Sequence, residues 1–197
     1  MELMALIILM TFYASFFIKI ILMKRQGITS NLLGKGEKPE RARRIELWLK
    51  AVTYGGATLQ FFSVFLSGKI WGLSPQRPVQ ILGLLLAASG CAFFISAMAA
   101  MKNNWRSGYD LRQNTSLVLN GPYKISRNPA FVGFDLLYIG CALVLPNIIN
   151  LAISVLALIT FHLQILEEER FLESAFGQNF LKYKSMVNRY FGRTGPR

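Results

Sequence analysis

The chain has 197 residues, of which 53% are hydrophobic and only 16% charged, and it carries a formal net charge of +12. Apolar runs of about twenty residues exclude an ordinary soluble domain and indicate membrane-spanning helices rather than strands. The basic residues lie between these runs and form no recognisable nucleic-acid module, so we expect membrane lipids as partners and no nucleic acid.

Potential metal ligands are scarce in this sequence. Cys91 and Cys141 are the only cysteines, both within apolar runs, and His162 is the single histidine. We therefore predict neither a disulfide framework nor a His-based metal site.

The amino-terminal half alternates apolar and basic segments. Residues 1–23 are predicted to be a first span rather than a signal peptide, because no basic start or cleavage site accompanies them. Residues 24–46 are predicted to be a basic cytoplasmic loop, partly helical near Arg41. Residues 47–66 form the predicted second span, and residues 80–101, rich in Gly, Ala and Ser, form the third.

The carboxyl-terminal half contains a predicted helical hairpin. Residues 102–129 are polar, and residues 130–166 are apolar except near Pro146, which predicts spans 4 and 5 joined by a tight turn. Residues 167–197 are predicted to form a cytoplasmic segment with an amphipathic helix, lying on the membrane surface or folded back on the core. The predicted fold class is therefore a single all-α integral membrane domain, residues 1–197, with about five transmembrane helices.

The distribution of charge predicts the topology. Lys and Arg number eight in residues 24–50, five in 102–129 and six after residue 166, against two in 68–79 and none in 146–150. By the positive-inside rule the amino terminus lies outside and the carboxyl terminus in the cytoplasm. We expect the cytoplasmic membrane of a bacterium or an archaeon.

Polar motifs flank the predicted hairpin on both sides. The first is Asn-Gly-Pro-Tyr-Lys-Ile-Ser-Arg-Asn-Pro-Ala-Phe-Val-Gly at residues 120–133. The second is Glu-Glu-x-x-Leu-x-x-x-Phe-Gly-x-x-Phe-x-x-Tyr-x-x-x-Val-x-Arg at residues 168–189. In this order around a hairpin, the motifs resemble the isoprenylcysteine carboxyl methyltransferase and phospholipid methyltransferase superfamily of integral membrane methyltransferases. The resemblance covers residues from about 80 to 191.

The resemblance implies a methyltransferase whose cofactor is S-adenosylmethionine, enclosed between the base of the hairpin and the carboxyl-terminal segment without a Rossmann domain. The acceptor would be a lipophilic small molecule or a lipid-linked group at the cytoplasmic face. Catalytic roles are implied for Arg127 and Asn128. The implied cofactor-binding residues are Trp105, Leu119, Gly121, Pro122, Tyr123, Arg127, Asn128, Pro129, Glu168, Glu169 and Arg189.

The chemistry of these residue types suits such a cofactor. Carboxylates such as Glu168 and Glu169 can bind ribose hydroxyls or an ammonium group, and Arg127 can hold a carboxylate in a fork-like contact. Methyl transfer from a sulfonium depends mainly on alignment and on exclusion of water. One position departs from the family pattern, since Asn128 stands where the family has histidine. An asparagine can form hydrogen bonds but cannot act as a base.

Structural roles stay open for several of these residues. Asn128-Pro129 is also typical of a helix start, and Arg127 of an anchor at the lipid headgroups. Asp135 lies inside a predicted span, where a carboxylate is a functional hypothesis by default. His162 near the end of span 5 is more commonly a hydrogen-bonded core residue than a catalytic one.

Two other functions also stay open. One is a membrane NADPH-dependent reductase, because sterol reductases resemble the same carboxyl-terminal architecture. The other is a non-enzymatic membrane scaffold, which the replacement of the family histidine by Asn128 favours. The acceptor atom and the oligomeric state are not predicted by the sequence.

Overall fold

The computed structural model describes residues 1–65, 75–112 and 115–194, and its regular secondary structure is helical. Two short 3-10 turns, Lys102–Asn104 and Gly121–Lys124, lie between the third and fourth α-helices. The described α-helices are α1 Glu2–Arg25, α2 Glu40–Phe65, α3 Arg77–Met101, α4 Pro129–Val144, α5 Ile148–Phe176 and α6 Gln178–Met186.

Three of the described helices are long and apolar enough to cross a membrane: α1, α3 with the turn that follows it, and α5. Their outward faces carry exposed side chains such as Ile7, Leu85 and Val155, which suit a lipid environment. These features show an integral membrane protein. Helix α4 is also apolar but has only 16 residues, a length of about 24 Å.

The predicted count of five spans is therefore not settled by these helices. The predicted second span begins at Leu47, whereas α2 begins at Glu40, and Leu66 lies outside the described residues. The first turns of α2 carry several charged residues, which leaves a shorter apolar stretch. Five spans remain a prediction.

The hairpin turn follows from local capping. Pro129 occupies the first turn of α4, where its missing N–H costs no hydrogen bond. Asn147 caps α5, because its side-chain oxygen accepts a hydrogen bond of 2.9 Å from the backbone N–H of Asn150. Helix α5 then continues through the acidic run at 167–169 and ends at Gly177, which has a φ of 51°. The acidic run thus belongs to the last turns of a long helix rather than to a separate tail.

Helices α3 and α4 approach each other closely along a face of small residues. A Cβ atom added at Gly90 would lie 2.6 Å from the carbonyl oxygen of Gly133, and one added at Gly140 would lie 2.5 Å from the carbonyl oxygen of Gly83. Side chains at these positions would push the helices apart. The small face of α3 therefore packs within the chain, and it fixes the hairpin against α3.

We predict that Gly90→Ala destabilises the protein, because the added methyl group has no space against the backbone of α4. Overpacking of this kind costs about 1–3 kcal/mol. Gly55→Ala is the control, since nothing lies within 4 Å of the Cβ atom it would add. Removing a helical glycine there favours folding by roughly 0.5–1 kcal/mol. Thermal unfolding in detergent measures both, and equal stability of the two variants would contradict the packing described.

Candidate functional site

A cavity lies at the base of the hairpin, where α4 begins and α5 passes its acidic run. One side of its wall is apolar and aromatic and includes Phe131, Phe134 and Phe161. The other side carries polar groups. Six of the residues predicted from the sequence line this cavity: Trp105, Tyr123, Arg127, Asn128, Pro129 and Glu168.

The other predicted cofactor residues lie behind the wall. Gly121 and Pro122 form the 3-10 turn that brings Tyr123 to the cavity, and Gly121 has the positive φ of 62° that this turn requires. Leu119 precedes the turn and is 39% exposed. Glu169 and Arg189 belong to a neighbouring ion-pair network. Their roles as cofactor ligands stay predictions.

The three consecutive acids of α5 point in three directions, because successive residues of a helix are rotated by about 100°. Glu167 pairs with Arg41 at 3.2 Å and with Arg170 at 2.5 Å. Glu168 faces the cavity. Glu169 points to the opposite side, toward the carboxyl-terminal segment. The sequence singled out the run as a unit, whereas each acid has its own environment.

Glu168 is the acid of this run that lines the cavity. Its Oε1 accepts a hydrogen bond of 3.0 Å from Nε2 of Gln164, one helical turn earlier. Gln164 is fully buried, so this contact fixes the rotamer of the carboxylate. The Glu168 carboxylate keeps further acceptor positions for a donor in the cavity.

Two other polar groups of the wall are available as donors. The indole Nε1 of Trp105 is buried and has no hydrogen-bond partner among the described residues, while its ring packs edge-on against Phe94 at 5.7 Å. Burial and the nearby charge of Glu168 raise the pKa of Tyr123 above its usual value, so its phenol is protonated at neutral pH. A buried N–H without an acceptor is uncommon, and the ring that carries this one is part of the cavity lining.

Glu169 joins the hairpin to the carboxyl-terminal segment. Its Oε1 accepts hydrogen bonds from Nε of Arg127 at 3.0 Å and from Nδ2 of Asn128 at 3.1 Å. Its Oε2 accepts two from the guanidinium of Arg189, at 2.9 and 3.1 Å, and this contact raises the pKa of Arg189. The Glu169 carboxylate is therefore saturated with donors from three residues.

The same network ties down the backbone of the carboxyl-terminal segment. Arg127 donates from its guanidinium to the carbonyl oxygens of Lys184 and Val187, and from its backbone N–H to Asn188. The phenol of Tyr183 donates to the carbonyl oxygen of Tyr123 at 2.7 Å. Phe180, Tyr183 and Val187 form a small core there. The segment after α5 is thus folded back onto the base of the hairpin.

The amino-terminal part of the chain supplies a wall that sequence reasoning missed. Residues 30–33 run beside residues 105–109, with a 2.9 Å hydrogen bond from Leu32 N to Ser107 O, and Leu33 reaches the cavity. Tyr109 stacks on Phe171 of α5 with 4.6 Å between ring centroids. The available signal was weak, since the buried residue Glu46 stands out only as an acid between apolar neighbours in a basic stretch.

Two polar residues of the predicted spans lie away from the cavity wall. Asp135 on α4 has a buried Oδ1 with no hydrogen-bond partner among the described residues. His162 on α5 contacts the phenol of Tyr190, with 2.6 Å between Nδ1 and the hydroxyl oxygen. Within the described residues, no group of three or more His, Cys, Asp or Glu is placed to hold a metal ion.

The fold and site define the class as a helical membrane protein with a mainly apolar cavity, carrying a few polar groups, at one end of a helical hairpin. The sequence model of the phospholipid methyltransferase family matches residues 79–179, which include α3, the hairpin and the acidic run. The chain belongs to this family. The matched range covers α4, α5 and most of the cavity residues.

Two curated relatives resemble the chain. The chain is 29% identical over 154 residues to the cobalt-zinc-cadmium resistance protein CzcN of Cupriavidus metallidurans, covering 76% of this chain and 64% of that protein. It is 31% identical over 112 residues to protein-S-isoprenylcysteine O-methyltransferase of Xenopus laevis, covering 55% of this chain and 39% of that enzyme. The chain thus spans less than two thirds of the length of either relative.

We predict that Glu169→Ala destabilises the fold by about 3–5 kcal/mol, because it leaves the charge of Arg127 buried without its partner. The carboxyl-terminal segment would also become accessible to limited proteolysis. Glu173→Ala is the matched control, since Glu173 on the same helix pairs with Lys184 of the same segment at an exposed position. That change costs less than about 1 kcal/mol. Similar unfolding temperatures and proteolysis rates for the two variants would contradict the role given to Glu169.

Proposed function

We propose that the protein transfers a methyl group from S-adenosylmethionine to a lipid or lipid-linked acceptor at the cytoplasmic face of the membrane. The observation that carries the proposal is the cavity itself, which is lined by the carboxylate of Glu168, by Trp105 and by phenylalanines of the hairpin. Membership of the phospholipid methyltransferase family supports the reaction class.

The residues present fit the polar parts of this cofactor. The ammonium and ribose hydroxyl groups need acceptors, and Glu168 offers carboxylate oxygens in the cavity. Tyr123 and Tyr109 add protonated phenols, since burial together with nearby carboxylates raises the pKa of Tyr109 to about 12.

When bound, the cofactor would supply a methyl group activated by a sulfonium: an acceptor lone pair would bond to the methyl carbon while the carbon–sulfur bond breaks and the sulfur leaves as a neutral thioether. The chain's contribution is to align the two reactants and to exclude water. Phe131, Phe134 and Phe161 form an apolar part of the cavity wall and suit an acyl or prenyl chain. This part of the wall belongs to the hairpin, so a lipophilic acceptor can be held within the bundle.

The proposed catalytic residues act mainly by position. The side chain of Asn128 donates both to Glu169 and to the carbonyl oxygen of Arg189, and Arg127 is likewise bound to Glu169. Asn128 cannot remove a proton at neutral pH. We therefore propose that Arg127 and Asn128 shape the bottom of the cavity. We expect a methyl acceptor whose reaction does not need residue 128 to remove a proton.

The proposed cytoplasmic location follows from the charge pattern. The cavity lies at the end of the bundle that carries Arg41, Arg127 and Arg170. This is the side on which the positive-inside rule places most Lys and Arg residues. A soluble cofactor would reach the polar wall from the cytosol, and an acceptor would come from the membrane.

We predict saturable binding of S-adenosylmethionine to the detergent-purified protein, weakened about tenfold or more by Glu168→Gln through the loss of one charged buried contact. Calorimetric titration measures the dissociation constants, and thermal unfolding confirms that the variant is folded. Glu173→Gln is the control, because Glu173 lies one and a half turns further along α5 in an exposed pair. Its affinity should equal that of the wild type.

The same titration separates the alternatives. Binding of NADPH in place of S-adenosylmethionine would favour a membrane reductase. If the folded wild type binds neither S-adenosylmethionine nor NADPH, this result would contradict both enzymatic functions and favour a non-enzymatic membrane scaffold. With binding established, transfer of radiolabelled methyl groups from S-adenosylmethionine into the organic phase of a membrane-lipid extract identifies the acceptor class.

A further inference from the structure

Glu46 is a fully buried carboxylate that the family match does not include, since that match begins at residue 79. It lies in the second turn of α2, where it forms an ion pair with Lys38, and both side chains are completely shielded from solvent. Neither residue lines the cavity. Contact with a ligand in the cavity therefore does not explain why these two side chains are buried.

The carboxylate of Glu46 connects two segments that are distant in sequence. Its Oε2 accepts a hydrogen bond of 2.7 Å from the backbone N–H of Gly34, and its Oε1 accepts one of 3.2 Å from the N–H of Tyr109. Lys38 completes the cluster, because its ammonium group also donates to the carbonyl oxygen of Leu32 at 3.1 Å. The same ammonium lies 5.1 Å from the centre of the Tyr109 ring.

Both bonded backbone groups lie at the cavity wall, since Tyr109 itself lines the cavity and Gly34 is next to a lining residue. Leu33, next to Gly34, and Gly108, next to Tyr109, both line the cavity. Gly108 has a φ of 79°, and a Cβ atom there would lie 2.8 Å from Oε1 of Glu46. The backbone at 108 therefore fits closely over the carboxylate, and Glu46 determines where this wall stands.

A buried ion pair is a weak device for stability, because removing two charges from water offsets most of their attraction. The Glu46 carboxylate also accepts hydrogen bonds from two backbone N–H groups and an ammonium group. These bonds hold the two segments that carry the N–H groups in a single arrangement. The same segments are also joined by backbone hydrogen bonds, such as that from Leu32 N–H to Ser107 O, and by the exposed ion pair of Glu37 with Arg112, which contributes little.

We propose that Glu46, held by Lys38, is a positioning residue that sets the wall formed by residues 105–109 of the cofactor cavity. This inference rests on the proposed function. Trp105, Gly108 and Tyr109 of this wall all line the cavity. Loss of Glu46 would move Trp105 relative to Glu168, so the affinity for the polar cofactor falls while the aromatic wall for the acceptor, built by the hairpin, is preserved.

The test compares Glu46→Gln, Glu46→Asp and the exposed control Glu37→Gln in the full-length protein in detergent. Hydrogen exchange read by mass spectrometry needs no ligand. We expect faster exchange at residues 29–36 and 105–112 in Glu46→Gln, with unchanged exchange at the α4–α5 turn.

Calorimetry should show that Glu46→Gln weakens S-adenosylmethionine binding about tenfold or more. Glu46→Asp keeps a carboxylate and should recover part of both effects, and Glu37→Gln should match the wild type.

The outcomes separate this inference from the function on which it rests. Unchanged exchange at residues 105–112 in Glu46→Gln overturns the positioning role whatever the cofactor. Faster exchange with an unchanged dissociation constant also overturns it, since Glu46 would then serve the fold alone. Failure of the folded wild type to bind S-adenosylmethionine overturns the proposed function instead. If Glu46→Gln does not fold, Glu46→Asp carries the same comparison.

Discussion

The carboxylate of Glu169 is where the hairpin meets the carboxyl-terminal segment, and the rest of the site depends on that contact. It binds Arg127 and Asn128 at the start of α4 and Arg189 beyond α6, so three distant parts of the chain share one pair of oxygens. Because the pairs are largely shielded from water, losing one partner leaves a charge without compensation. The saturated Glu169 also leaves Glu168, the next acid along the helix, as the one presented to the cavity.

This arrangement gives the cavity two chemically different walls. Glu168 provides a polar group, and the phenylalanines of the hairpin provide an apolar surface. Close packing of α3 against α4 through glycines fixes the hairpin against α3. Under the proposed function, a polar methyl donor and a lipophilic acceptor would meet in this cavity, and membership of the phospholipid methyltransferase family supports that reaction class.

Much of this organisation follows from local sequence signals. Long apolar runs predict α1, α3 and α5. Pro129 and Asn147 mark the starts of the two hairpin helices. The acidic run indicated a polar site, but the sequence could not assign its three members, since the distant partners of Glu167 and Glu169 come from α2, from the residues before α4 and from the segment after α6. The wall built by Glu46 was not predicted either, because its contacts join residues 34 and 109 through loop geometry that no helical or strand period encodes. Long-range pairing of this kind appears only in the folded chain.

Locating bound S-adenosylmethionine on the chain is the most direct test of the proposed cofactor cavity. Ultraviolet cross-linking of methyl-labelled S-adenosylmethionine to the purified protein, followed by peptide mapping, locates the contact. The account predicts label on peptides that contain Trp105–Tyr109 or Glu168–Leu172, with labelling lost on addition of unlabelled cofactor. Specific labelling confined to peptides away from the cavity, for example in α1, would contradict it.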